Sequence, residues 1–367
     1  MAQPVIDRLA ALRKDPARIA AGGALLADFL DTALDKHEGR YDYGTYLALR
    51  MLGIRASARP GLSRAGIEAE RDILLCGLIA GIMRAELYLL DDDRTATIRM
   101  RPDAVQPQRR LGLALRAIRP SIGRRGITLA PEAGDDAAAR TVVAATGEWL
   151  GAQRRLRLDL SLLPVHAIHD EILFLRVLQG FELGFAWIAV LLREAAELLA
   201  QDAGAATERL DLANTLLRET MRLFPLLGDM DVEAFRNFRR FTEGASAIQS
   251  ASYKTIEALC RRPDADRLGS VAFAAVPEVR RAAESGQTTL DGAFALACRE
   301  GRLAGEDRAA FVSGMRIFAG QLQRWRQAHH ALARRFLGEG AGTGYTSGVP
   351  YLTQGLHLPV FRELPTD

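Results

Sequence analysis

Six histidines, one arginine beside an aromatic run and a glycine-rich loop hold most of the chemistry this sequence can offer. The histidines are His37, His166, His169, His329, His330 and His357. His166 and His169 stand three apart beside Asp170 and Glu171, a spacing that can put metal ligands on one helix face. The same residues suit an ordinary helix N-terminus, where the dipole favours acidic side chains. His329 and His330 lie in WRQAHHALARRFLGEGAGTGYTSGVPYL (325–352), where the pair precedes Gly338 and the glycine-rich stretch 342–348. Such a loop brings backbone amides and hydroxyls close to an anionic or zwitterionic ligand. It is equally compatible with a flexible tail. There is no GxSxG elbow, no P-loop and no GxGxxG after a strand, so hydrolase, NTPase and dinucleotide-binding readings lack their signatures.

The elements that must position these residues come from a chain of 367 residues, 49% hydrophobic and 25% charged. That length sustains its own core without a disulfide or metal staple. Net charge is only +3, which disfavours a general nucleic-acid binder. Lysine occurs only at Lys14, Lys36 and Lys254. The three dispersed cysteines point to a reducing compartment and a cytoplasmic protein. Ile172 to Leu192 is apolar enough to resemble a membrane span, but Arg176, Gln179 and Glu182 near its middle favour a buried core helix.

Periodicity predicts helices over about 5–55, then a segment of different texture over 56–160, then long helices over about 167–201, 207–225, 231–260 and 306–337. In the middle segment a helix is expected from Ile67 to about Leu87. ELYLLDDDRTATIRMRP then reads as a β-hairpin turning at Asp91–Asp93, and GITLAP as a short strand. The expectation is an N-terminal helical arm (1–55), a small α+β insertion (56–160) and a helical domain (161–367). The insertion contains no histidine. No aromatic residue interleaves with its nine arginines between Arg94 and Arg125, so it reads as a structural or interaction module.

Four ordered blocks resemble the haem-dependent tryptophan 2,3-dioxygenases. The C-terminal block matches the family at Trp325, Arg326, His329, Arg335, Gly338, Gly342, Thr343, Gly344, Ser347, Gly348, Tyr351 and Leu352. FRNFRRFTEGASAIQSASYKTIE is similar at Phe238, Arg239, Ser246, Gln249, Ser250, Tyr253, Ile256 and Glu257. HDEILFLRVLQGFEL and YDYGTYLAL resemble the two remaining motifs. The resemblance implies an all-α, tryptophan 2,3-dioxygenase-like haem-binding helical bundle, here carrying the α+β insertion. It implies haem b on His329, and O2 and an aromatic amino acid as substrates. Arg239 would hold the carboxylate, and Thr343 the amino-acid end. Phe174, Phe235, Tyr43, Tyr46 and Ser246 would surround the rest of the substrate. In the family the YGxYL helix reaches a neighbouring subunit's site, so a homo-oligomer, tetramer or dimer, is implied, with no nucleic-acid or membrane partner.

The departures are specific. About a hundred residues separate YGTYL from HDE, where the family has a short connection. Phe235 replaces a tyrosine, and Tyr345 and Thr346 replace small residues. The family's distal histidine falls on Leu178, which neither accepts a hydrogen bond nor serves as a base. Dioxygenation that opens the indole pyrrole ring to an N-formylkynurenine-type product is the leading expectation. The alternatives are a haem-dependent monooxygenase of a biosynthetic pathway and a non-catalytic haem-binding homologue. At Leu178, either the substrate lacks a ring N–H to pair, or water, Ser246 or a backbone carbonyl replaces the missing acceptor.

Overall fold

The computed structural model describes residues 3–91, 100–103, 105–130, 132, 134–166, 168–242, 245–338, 340–342 and 346–364. Its principal helices, in chain order, are α1 (Gln3–Arg13), α2 (Pro16–His37), α3 (Tyr43–Tyr46), α4 (Arg64–Asp91), α5 (Gln106–Arg124), α6 (Asp135–Leu160), α7 (His169–Leu198), α8 (Ala203–Thr220), α9 (Val232–Arg239), α10 (Ala251–Cys260), α11 (Gly305–Leu337) and α12 (Val349–Leu356). Short helical turns fill several connections.

No strand occurs among the described residues, so the α+β insertion is corrected to a segment whose regular elements, among the described residues, are helices. The proposed first strand, Glu86 to Asp91, is the end of α4, which contains no proline and no glycine after Gly81. Leu87 and Leu89 are buried while Tyr88 and Leu90 are exposed. Over four residues a helix edge can therefore imitate the alternation of a strand. Most of the proposed turn and second strand, 92–99, lies outside the described residues. The 106–124 stretch, rich in Arg and Pro, is α5. Pro107 sits in its first turn, where a missing N–H costs nothing. Leu111, Ala114, Leu115, Ile118 and Ile122 are all buried at helical spacing. Ile127 to Ala130 of GITLAP form no regular element.

The chain divides into two compact units. The first holds residues up to Ile54, Asp72–Gly180 and Pro225–Ala247. Within it α4 and α5 are joined by a fork on buried Asp72: Arg124 donates to it from Nε at 2.7 Å and from Nη2 at 3.0 Å, and Ser121 donates to the same carboxylate at 2.8 Å. Two such parallel bonds fix orientation as well as distance. Helix α6 is kinked at Gly151, whose φ of 64° suits a residue without a side chain. The second unit holds Arg55–Arg71, Phe181–Phe224 and residues from Ile248 on. There α8 packs on α11, with Asn214 Nδ2 donating to the Gly314 carbonyl at 3.0 Å.

Two helices, α4 and α7, are long and apolar enough to cross a membrane. Their apolar windows are 78% and 94% buried inside the chain, as core helices are. The polar residues of α7 have internal partners. Arg176 donates to Ser161 Oγ, Gln179 Oε1 and the Leu158 carbonyl at 2.8–2.9 Å. That places a fully buried guanidinium on the last carbonyls of α6, where the dipole favours a cation. Among the described residues no carboxylate is hydrogen-bonded to it, and burial lowers its pKa to about 9. Glu182 accepts from the Ser250 hydroxyl in the second unit.

Candidate functional site

In the second unit, α11 buries Phe311, Met315, Phe318, Leu322 and Trp325 in alternating steps of four and three. One further step of four reaches His329, so the same apolar stripe carries the histidine. Its ring lies 5.2 Å from that of Trp325. Trp325 packs against Phe181, Phe185, Phe224 and Tyr253, with centroids 4.8–6.1 Å away. His329 keeps some exposed surface, yet burial, with a smaller push from His330, lowers its pKa to about 4. At neutral pH it is a neutral imidazole. Its ring nitrogens make no hydrogen bond among the described residues. A neutral, unengaged imidazole backed by aromatic rings is chemically suited to axial ligation of a haem iron. His330, one residue round the helix, is instead 3.0 Å from the Thr353 hydroxyl of α12.

The glycine-rich block folds back on itself after α11. Gly338 ends the helix with φ 58°, and its N–H donates to the Arg334 carbonyl. Gly342 N–H donates to the Thr346 carbonyl at 3.0 Å. Gly348 has φ 73°, and a side chain there would meet the Gly340 carbonyl at 2.6 Å, so this close approach requires glycine. Thr343 lies outside the described residues.

In the first unit, the N-terminal block and α7 meet within one chain. Asp42 caps α3 by accepting the Thr45 N–H at 2.8 Å. Tyr43, Tyr46 and Leu47 are buried with Leu175 and Ala245, and Phe174 and Leu178 pack against them. Phe174 is the hub: its centroid is 5.2 Å from Phe238, 5.8 Å from Phe235 and 6.5 Å from Tyr46. Gln179 Nε2 holds the arm by donating to the Leu47 carbonyl at 2.8 Å. Arg157 of α6 does so by donating to the Met51 carbonyl at 3.2 Å. Arg239 is half-buried at the C-terminal end of α9, and Ser246 is buried next to Ala245. The structure therefore gathers Tyr43, Tyr46, Phe174 and Leu178 into one apolar cluster, and Phe174 links it to a second that holds Phe235 and Phe238.

Two groups of polar residues escaped the sequence reading. Arg110 of α5, with no exposed side-chain surface, reaches Asp170 at 2.8 Å, Asp229 at 3.0 Å and Glu86 at 3.5 Å. His169 Nε2 is 2.9 Å from the same Glu86, while the His166 ring lies 4.7 Å from Phe241. The two histidines thus have different partners. Among the described residues no group of three or more His, Cys, Asp or Glu side chains is arranged to hold a metal ion. The second group, Lys36 and Glu171 around Tyr46, had one faint signal: one of only three lysines in a chain rich in arginine.

The fold and these side chains define an all-helical protein with a ligand-grade imidazole in one unit and an aromatic cluster in the other. No family model matches the chain. A tryptophan 2,3-dioxygenase of Anaeromyxobacter dehalogenans is 28% identical over 264 residues, covering 60% of this chain and 91% of that protein. One from a Nocardioides species is 29% identical over 223 residues, covering 52% and 81%. One from a Bradyrhizobium species (strain ORS 278) is 28% identical over 260 residues, covering 59% and 89%. Over that length the chain is similar to tryptophan 2,3-dioxygenases, as a divergent relative at 28–29% identity. Nearly the whole length of such a relative aligns with about three fifths of this chain, so this chain carries additional sequence.

Proposed function

We propose that this protein is a haem-dependent oxygenase of tryptophan or a closely related aromatic amino acid. The observation that carries the reading is His329, a neutral imidazole held on a buried aromatic stripe. Haem b, when bound there, supplies O2 activation at ferrous iron. Arg239 binds the substrate carboxylate through two charge-assisted bonds, and Thr343 contacts the amino-acid end. Phe174, Phe235, Tyr43 and Tyr46 pack the ring and exclude water, with Ser246 at their edge. The favoured reaction is 2,3-dioxygenation to an N-formylkynurenine-type product, in a cytoplasmic homo-oligomer. Arg239→Lys keeps the charge but loses the fork, and is expected to weaken binding of the amino acid, measured by calorimetry, by at least about tenfold.

Leu178 favours a second reading, a haem protein of this fold that inserts one oxygen atom or none. Turnover under isotopically labelled O2, with product masses, separates the readings: two labelled atoms support dioxygenation, one supports monooxygenation and none a non-catalytic homologue. Leu178 also bears on substrate choice. A buried indole N–H without an acceptor costs about 1–3 kcal/mol, or one to two decades of affinity. The expected outcome is that kcat/KM for 1-methyltryptophan stays within about tenfold of that for tryptophan. A preference of about a hundredfold or more for tryptophan would show that another group accepts the N–H.

A further inference from the structure

Tyr46 is tied to two groups that the family resemblance leaves without a role. Its hydroxyl donates to Glu171 Oε1 at 3.3 Å, and Lys36 Nζ lies 5.3 Å from its ring centroid. Glu171, fully buried, also accepts the backbone N–H groups of Val165 and His166, each at 2.7 Å. Lys36, half-buried, donates to the Leu163 carbonyl. On α7, Glu171, Phe174 and Leu178 follow one another at helical spacing, so the carboxyl and both apolar side chains share a face.

The charged neighbours are few. Helix α2 contributes Lys36, and α3 contributes Tyr46. The chain before α3 contributes Tyr41, whose hydroxyl donates to the Phe241 carbonyl. The connection before α7 offers Glu171 backbone amides, while the His166 ring stacks near Phe241. Asp170, beside Glu171, is engaged by Arg110. One acid and one base thus flank the Tyr46 phenol. Burial raises the Glu171 pKa to about 7, against the pull of the two amides, Lys36 and Tyr46. Burial also lowers the Lys36 pKa to about 7, against the pull of Glu171.

We propose that Lys36, Tyr46 and Glu171 form one positioning unit for the aromatic ligand. The protonation state that acid and base share sets how firmly Glu171 holds the Tyr46 hydroxyl, and hence where the Tyr46 ring stands against Phe174. The inference rests on the functional reading above for the roles of Tyr46 and Phe174. An ionised Glu171 accepts a charge-assisted bond, roughly twice as strong as the neutral one it offers when protonated. A ligand ring packed on this face removes further water, and desolvation favours the neutral forms. Occupancy therefore drives the Lys36 pKa down.

With only three lysines, competitive acetylation followed by mass spectrometry reads each amine separately in the haem-loaded protein. Lys36 is expected to label with a midpoint near neutrality, and at neutral pH its free-amine fraction should exceed that of exposed Lys14 by at least about tenfold. Glu171→Gln removes the charge that favours protonated Lys36, so the midpoint should fall further. Saturating L-tryptophan should also lower it and leave Lys14 unmoved. A Lys36 midpoint equal to that of Lys14, or one indifferent to Glu171→Gln, overturns the unit. So does a midpoint unmoved by L-tryptophan that calorimetry shows to be bound. If calorimetry shows no binding of L-tryptophan, the functional reading fails. The shift with Glu171→Gln then upholds or overturns the coupling by itself.

Discussion

Arg110→Ala is expected to destabilise the protein by about 3–5 kcal/mol, a large share of the stability of any domain. The guanidinium has no exposed surface, and it is the common partner of Asp170, Asp229 and Glu86, which are almost as deeply buried. Removing it leaves carboxylates in a medium that penalises their charge. Burial already holds the Asp170 pKa above the usual carboxylate range, even with Arg110 beside it pulling the other way. Without Arg110, Asp170 binds a proton in the folded state at pH values where the unfolded chain does not. Folded stability of the variant should then rise as pH falls from neutrality toward the ordinary carboxylate range near about 4. Wild type should gain less over the same interval. Urea denaturation of both proteins at several pH values measures the effect. A variant within about 1 kcal/mol of wild type at neutral pH would show that the cluster is not the anchor it looks like.

That cluster gives the 56–160 segment a physical meaning absent from its sequence. Arg110 comes from α5, within the 56–160 segment, and Asp170 from the HDE motif that opens α7, so a helix of that segment supplies the counter-charge of the motif. Sixty residues separate them, and nothing in local spacing announces the pair. The helical stripe of α11 was legible, because apolar residues at period 3.6 report a buried face whatever lies opposite. The grouping of Phe174, Phe235, Tyr43 and Tyr46 was legible only through the four ordered blocks. Their contacts join positions far apart in the chain, Tyr46 with Phe174 and Phe174 with Phe235. The hairpin failed for the opposite reason: short alternation is a weak signal beside the length of an uninterrupted helix. The expected helix over 231–260 also fell short. It ends at Arg239 and resumes at Ala251, across a stretch with Thr242, Gly244 and Ser246 that disfavours continuation.

His329→Ala is expected to abolish the ferric haem spectrum of the purified protein, while His330→Ala leaves it in place. The two residues are neighbours in sequence but differ by about 100° around α11. His329 continues the buried stripe through Trp325, and its imidazole stays neutral because burial lowers its pKa to about 4. A neutral nitrogen offers a lone pair to iron without first losing a proton, so ligation by His329 should persist well below neutral pH. His330 is already engaged with the Thr353 hydroxyl, and losing it costs α11 one contact with α12. Circular dichroism of both variants separates loss of haem from loss of fold, and added imidazole gives a further readout. Filling the space left in His329→Ala, imidazole should restore a ferric spectrum, because the missing element is one donor nitrogen and not the surrounding aromatic wall. If instead His330→Ala loses the haem and His329→Ala keeps it, the ligand lies on the other face of the helix. The aromatic stripe around Trp325 is then ordinary core packing.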